Sequence, residues 1–133
     1  MHKGFLKTAA ILGLLAVALG AFGAHGLKNY VSSQAVATFE TAVRYQFYHV
    51  FALIAVGFLY KEFKAVKIAG WFFIIGILLF SGSLYALAFG EAAVQPGFKW
   101  LGPVTPVGGL SFIAGWAMLF VALLKNKNQD VVP

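Results

Sequence analysis

The sequence predicts an all-α, polytopic membrane protein that folds as one four-helix bundle, with left-handed packing and both termini in the cytoplasm. Its 133 residues are 61% hydrophobic and 11% charged, whereas globular proteins average about 45–50% apolar and about 25% charged residues. Four apolar stretches have about the 20 residues needed to cross a bilayer as a helix. Most of the positive charges lie between these stretches or at the two ends of the chain, which is typical of a fixed membrane topology.

Composition also excludes several classes of function. The formal charge of +6 would suggest nucleic acid as a partner of a soluble protein, but here the basic residues flank apolar spans, and we expect no nucleic acid. The chain has no cysteine, which removes disulfides, thiolate catalysis and Cys-ligated metals. The expected partner is the lipid bilayer itself, as a single transmembrane domain over residues 1–133 in the cell membrane.

The first span, about residues 5–25, follows Lys3 and Lys7 and ends in the small residues AFGA. The same pattern is found in secretory signal peptides, but we favour a retained helix. Its small residues are spaced four, three, four and three apart, which suits the close approach of another helix along a left-handed seam. These residues are Ala9, Gly13, Ala16, Gly20 and Gly23.

The second span, about residues 33–60, contains the chemically richest segment, FETAVRYQFYHVF. Sixteen uncharged residues separate Arg44 from Lys61 and would cover only about 24 Å as a helix, less than the hydrocarbon core of about 30 Å. The helix must therefore begin earlier, where Ser32 or Ser33 can cap it. Arg44 can then reach the lipid headgroups. Glu40, four residues earlier, is predicted to form an ion pair with Arg44.

His49 lies about 7.5 Å deeper along the same helix than Arg44. The polar residues of this helix fall on one face, which we expect to look into the protein, while the opposite, apolar face is expected to look into lipid. The polar face comprises Thr38, Thr41, Tyr45, Gln46, Tyr48 and His49, and the apolar face Phe39, Val43, Phe47, Val50 and Ile54. His49 is either a neutral side chain hydrogen-bonded to a neighbouring helix or a ligand or proton-handling group.

The third span, about residues 68–90, and the fourth, about residues 105–124, follow the basic link KEFKAVK and the loop EAAVQPGFKWLGP. At the start of the fourth span Thr105 can cap the helix, and Pro106 suits its first turn. Small residues again predict the packing surfaces. With those of the first span, the glycines predicted to pack are Gly13, Gly20, Gly23, Gly76, Gly90, Gly108 and Gly115.

Charge then predicts the orientation. Seven lysines would be cytoplasmic if both termini are inside, against three basic residues outside, and this bias favours a single topology. The cytoplasmic set is Lys3, Lys7, Lys61, Lys64, Lys67, Lys125 and Lys127, and the external set is Lys28, Arg44 and Lys99.

Five motifs, in this order along the chain, resemble one family. They are GAFGAHGL at 20–27, FETAVRYQFYH at 39–49, LFSGSLY at 79–85, LGPVTPVGG at 101–109 and GW at 115–116. The chain is thereby similar to the small membrane proteins grouped as domain of unknown function 423, which resemble the animal transmembrane protein 256. The resemblance implies a four-helix membrane protein and no established activity. The residues that match its motifs are His25, Gln46, His49, Ser83, Thr105, Pro106 and Gly109.

These residues and their neighbours predict a polar cluster in the outer half of the membrane. The candidate site residues are His25, Glu40, Arg44, Tyr45, Gln46, His49, Ser83 and Thr105. We expect a non-enzymatic bundle that binds a lipid, a small molecule or a partner helix there, without metal or cofactor. An oligomeric transporter or channel is the alternative, although Glu40 and Glu91 lie near span ends. Haem ligation would need His25 and His49 in one layer, and they are staggered.

Overall fold

The computed structural model describes residues 1–92 and 100–125, which form helices and turns and contain no strand. The helices are α1 (Lys3–His25), α2 (Ser33–Leu59), α3 (Val66–Gly76), α4 (Gly82–Ala92) and α5 (Val104–Leu124), with a short 3-10 helix at Leu27–Asn29 and a π-helical segment at Ile77–Ser81. The π segment joins α3 and α4 into one span, so that four spans are long and apolar enough to cross a membrane. The predicted fold class, an all-α membrane four-helix bundle, is confirmed.

The N-terminus of α2 is capped as predicted, by Ser32. Its hydroxyl accepts a hydrogen bond from the Ala35 amide at 3.2 Å and donates to Glu91 Oε2 at 3.0 Å. The Ser32 amide also donates to Glu91 Oε1 at 2.6 Å. Glu91, near the end of α4, therefore holds the start of α2 through a carboxylate that favours a helix N-terminus.

The predicted cap of α5 is wrong. The helix begins at Val104, with Pro103 at the N-cap position and no side-chain cap. Thr105 lies inside the first turn, and its hydroxyl is 2.5 Å from Ser83 Oγ. A hydroxyl that bonds a neighbouring helix is not free to cap its own, and the prolines at 103 and 106 supply the φ angle that a first turn needs.

Helix α2 is the centre of the bundle. It contacts α1, α3, α4 and the π segment. Half of the most apolar part of α2 is buried, against 17% of the corresponding part of α1. The prediction that its apolar face looks into lipid is therefore wrong: Phe39 is 0%, Val43 9% and Val50 4% exposed. The side of α2 that stays exposed carries Tyr48 and Phe51 instead, because other helices cover the predicted apolar face.

The glycines of α1 explain where that apolar face goes. A Cβ placed on Gly13 would lie 3.5 Å from Val50, and one on Gly20 would lie 3.3 Å from Val43. At Gly23 a Cβ would collide with the ring of Phe39. The α1 glycines thus face α2 as the predicted packing surface requires, and they accept the larger side chains of α2.

The glycines of the third and fourth spans likewise leave space for side chains of a neighbouring helix, here aromatic rings. A Cβ on Gly76 would collide with Phe112, and one on Gly115 with Phe73, so that α3 and α5 interlock reciprocally. Gly90, also predicted to pack, is buried. The left-handedness of the packing stays a prediction.

At Gly108 of α5 the backbones of two helices come close together. A Cβ there would collide with the backbone nitrogen and Cα of Phe80, in the π segment. A π-helical turn widens the helix and is found where an α-helix is locally disturbed. Ser81 in the same segment donates from its hydroxyl to the Ala42 carbonyl at 2.7 Å, which ties this turn to α2.

Gly108→Ala is expected to destabilise the protein by about 1–3 kcal/mol, because the added methyl group meets backbone that cannot rotate away. Gly82→Ala is the matched control, since a Cβ at Gly82 meets nothing within 4 Å and alanine is the better helix former by about 1 kcal/mol. The free energy of unfolding in mixed micelles, measured by titration with dodecyl sulfate, checks both. Equal stability of the two variants would contradict the close approach at Gly108.

Candidate functional site

An open groove between α2 and α5, with a volume of about 800 Å³, is lined by two of the predicted site residues. We call it the aromatic groove. Its walls are Tyr45, Tyr48 and His49 of α2, Phe80 of the π segment, and Pro106, Gly109, Leu110, Phe112, Ile113 and Trp116 of α5. Of the predicted candidates, only Tyr45 and His49 line it.

His49 is the buried polar group of the groove wall and is 4% exposed. Its Nδ1 lies 2.7 Å from the carbonyl oxygen of Tyr45, one turn earlier. The indole Nε1 of Trp116 donates to His49 Nε2 at 3.1 Å. The two ring nitrogens are therefore held by one partner each.

These partners determine the tautomer of His49. An indole N–H can only donate, so Nε2 must accept and carries no proton. A carbonyl oxygen can only accept, so the proton of the neutral ring is on Nδ1. The geometry matches a neutral histidine hydrogen-bonded to a neighbouring helix, the first of the two interpretations of His49, because a second ring proton would point at the proton of the indole.

Aromatic rings surround the imidazole. The ring of Phe112 is stacked on it, with centroids 3.5 Å apart and planes 6° from parallel. Phe73 lies on another side at 5.5 Å, and Tyr45 packs on Phe80 at 4.6 Å across the groove wall. Such ring pairs add about 0.5–1.5 kcal/mol each beyond the burial of their surface.

Gln46 is the second buried polar group of α2, at 3% exposure. It donates from Nε2 to the Leu12 carbonyl of α1 at 2.7 Å, and its Oε1 accepts from the Tyr85 hydroxyl of α4 at 2.7 Å. Gln46 thus links three helices. In the described residues no buried side-chain nitrogen or oxygen lacks a hydrogen-bond partner, so this polar cluster is internally satisfied.

Ser83 and Thr105 form a separate pair. Their hydroxyl oxygens lie 2.5 Å apart, and Ser83 also donates to the Phe80 carbonyl, at 2.9 Å. The pair joins α4 to the first turn of α5. It lies one turn from the Phe80 that lines the groove, but neither residue lines the groove itself.

The charged candidates lie elsewhere. The predicted pair between Glu40 and Arg44 is wrong: Arg44 Nη2 donates to Thr41 Oγ1 at 3.2 Å, and no hydrogen bond or ion pair joins Arg44 to Glu40 in the ranges 1–92 and 100–125. Thr41, one turn back on α2, offers a nearer acceptor. His25 is exposed at the end of α1 and does not line the groove, so the structure does not bring the two histidines together.

Three residues that complete the site were not singled out from the sequence as site residues: Tyr85, Phe112 and Trp116. Each is an apolar-looking residue in an apolar span, and only the contact with Gln46 or His49 gives it a polar role. The signal available in the sequence was the tryptophan itself, because an indole N–H within an apolar span needs an acceptor. In the described residues no group of three histidine or acidic side chains comes together as a metal site would require.

Comparison with known proteins places these residues in a family. The model of the family described as protein of unknown function (DUF423) matches residues 19–109. The chain is 42% identical to the UPF0382 membrane protein YwdK of Bacillus subtilis, over 92% of this chain and 98% of that protein. It is 37% identical to the UPF0382 inner membrane protein YgdD of Escherichia coli, over 92% and 91%. No solved structure matches the chain.

Trp116→Phe is expected to destabilise the protein by about 1–3 kcal/mol, because it leaves the buried Nε2 of His49 without a donor while it keeps an aromatic ring. Trp71→Phe is the matched control, since Trp71 is about as exposed (52%) as Trp116 (48%) but its indole has no hydrogen bond within the described residues. It should change stability by less than about 0.5 kcal/mol. Unfolding in mixed micelles measures both. Nitrogen-15 spectra of the wild-type imidazole should show a proton on Nδ1, and a proton on Nε2 would contradict the assigned tautomer.

Proposed function

The chain belongs to the DUF423 family of proteins of unknown function, and we propose that it is a non-enzymatic membrane protein whose aromatic groove binds a lipid-soluble small molecule with a flat ring. The observation that carries the proposal is the groove itself, open to the side of the bundle and lined by the rings of Tyr45, Tyr48, Phe80, Phe112 and Trp116. The groove lies between two helices, a usual place for ligand sites in bundles.

Size and chemistry support a small molecule. A volume of about 800 Å³ lies within the range of about 300–1,000 Å³ for ligand sites. Ring faces attract another ring through offset stacking or edge contacts. The hydroxyls of Tyr45 and Tyr48 have no hydrogen-bond partner in the described part of the chain, so they can bond a polar atom on the ligand.

The polar groups favour binding over catalysis or transport. Both nitrogens of His49 are occupied, so a proton transfer or a metal bond at His49 would first have to break a contact. The buried polar side chains of the described residues are Gln46, His49, Ser81 and Ser83, and none is a carboxylate. A cation or proton pathway through a bundle usually needs one.

The orientation is part of the proposal: both termini in the cytoplasm, with the start of α2 at the outer surface. The seven-to-three distribution of basic residues supports it. The start of α1 lies beside the end of α2, because the His2 amide donates to the Gly57 carbonyl at 2.8 Å, and Lys64 Nζ lies 4.2 Å over the nearby Tyr60 ring. Lys3 and Lys61 are therefore at the same end.

The absence of cysteine permits a direct test of this orientation. A cysteine at Asn29, which is exposed after α1, should react in intact bacterial cells with a maleimide that cannot cross the membrane. A cysteine at Lys64 should react only after the cells are permeabilised. The reverse pattern would place the termini outside, and equal labelling of both would indicate dual insertion.

Gly109→Leu is expected to abolish binding, because Gly109 lines the groove and its added Cβ would make only ordinary contacts, 3.8 Å from Phe80, while the rest of the side chain fills the space. The probe is 2-methyl-1,4-naphthoquinone, titrated into proteoliposomes that hold a protein with Trp71→Phe and Trp100→Phe. Fluorescence then reports Trp116 alone. We expect saturable quenching in this protein and only linear, collisional quenching after Gly109→Leu.

The matched control is Gly82→Leu, the same substitution at a glycine outside the groove with open space around it. It should leave the saturable quenching unchanged. Linear quenching in all three proteins would contradict the proposed binding, and so would saturable quenching that survives Gly109→Leu.

A further inference from the structure

A second, smaller hollow lies between α1 and α2, with a volume of about 190 Å³. We call it the charged hollow. It is lined by Gly20 and Gly23 of α1 and by Phe39, Glu40, Val43 and Arg44 of α2. No residue of the aromatic groove contributes to it, so the hollow does not depend on ligand binding in that groove; only its outer or inner placement rests on the orientation proposed above.

The two charges in this hollow do not neutralise each other. A glutamate four residues before an arginine is the favourable order for a helical ion pair, yet Arg44 Nη2 bonds Thr41 at 3.2 Å instead. The Glu40 carboxylate has no hydrogen bond or ion pair within residues 1–92 and 100–125. Both side chains are exposed, so one hollow presents an exposed anion beside an exposed cation that are not bonded to each other.

Their order along α2 is informative. Glu40 lies one turn, about 6 Å, closer to the helix start than Arg44. If the start of α2 is at the outer surface, the cation is deeper and the anion is nearer to water. A guanidinium offers several N–H donors in a planar fork that suits phosphate, whereas a carboxylate suits a group that carries N–H donors and a positive charge.

Below Arg44, the same side of α2 is apolar and uncovered. Phe51 is 65% and Phe58 59% exposed, and Ala55 between them is also exposed. These residues follow Arg44 by seven, eleven and fourteen positions, which places them on one helical face. An acyl chain whose head group is at Arg44 would run along this face.

We propose that the charged hollow binds the head group of an ethanolamine phospholipid. The phosphate bonds Arg44, the outer ammonium bonds Glu40, and one acyl chain lies along Phe51 and Phe58. A choline head group has no N–H to donate to Glu40. A glycerol head group leaves the lipid with a net negative charge next to the Glu40 carboxylate, so both should bind more weakly.

Native mass spectrometry of the purified full chain tests the proposal. The protein is equilibrated with an equimolar mixture of phosphatidylethanolamine, phosphatidylcholine and phosphatidylglycerol that have identical acyl chains. We expect the ethanolamine lipid to be retained about two- to fivefold over each of the others, the ratio that an exposed charge contact of up to about 1 kcal/mol gives. Glu40→Gln should shift retention toward the glycerol lipid, and Arg44→Gln should reduce retention of all three.

Lys28→Gln is the matched control, because it removes an exposed cation at the same end of the bundle without touching the hollow. It should leave the lipid ratios unchanged. Arg44→Lys, which keeps the charge but not the planar fork, should retain the ethanolamine preference in reduced form and replaces Arg44→Gln if that variant does not fold. Equal retention of the three lipids by the wild type, or the same shift after Lys28→Gln as after Glu40→Gln, would overturn the proposal.

Discussion

The rest of the structure depends on the contact of α5 with the backbone of the π segment at Gly108. Because no side chain separates the two helices there, the following turns of α5 are held against α3. One turn on, Phe112 enters the space left at Gly76 and stacks on His49. A further turn on, Trp116 reaches His49 Nε2. The wall of the aromatic groove is thus a consequence of a helix approach that only glycine permits.

Buried polar side chains then fasten the helices that the glycines bring together. Gln46 bonds a carbonyl of α1, Ser81 bonds a carbonyl of α2, and Ser111 donates to the Phe72 carbonyl of α3 at 2.8 Å. Each acceptor is a main-chain oxygen of another helix, which has a second lone pair to offer. Such bonds contribute about 0.6 kcal/mol each in membrane proteins. Their value here is in selecting one arrangement, since each of these donors is matched to one particular carbonyl.

Much of this architecture is predictable from residue types, and the exceptions have physical reasons. Span existence follows from apolar length, and the Ser32 cap follows from the need of helix N–H groups for an acceptor. The glycine surfaces of α1 are predictable because lipid offers no hydrophobic drive between helices. The environment of a single apolar side chain is not predictable in this way, because lipid and protein core are equally apolar. Whether Phe39 or Val43 faces lipid or another helix depends on how many neighbours α2 has.

In the candidate site, too, the sequence identifies some residues and not their partners. His49 and Gln46 are recognisable as buried polar groups because their cost in an apolar span demands partners. The partners themselves, Trp116 and Tyr85, come from spans more than thirty residues away, as 67 and 39 positions separate the bonded residues. Glu40 and Arg44 have the spacing of an ion pair. Which bond forms, however, depends on the rotamer of Arg44 and on the competing hydroxyl of Thr41, and the spacing of the residues predicts neither.

The π segment sets the angular phase of the second half of the third span. A π-helical turn holds about one residue more than an α-helical turn, so a regular α-helix over the same five residues, 77–81, would rotate everything after it by about 100°. Tyr85 would then turn away from Gln46, and Ser83 from Thr105. The span would still be apolar and long enough to cross a bilayer. The orientation of α4 is therefore preserved only if the π turn is kept, or if the π turn and one residue are lost together.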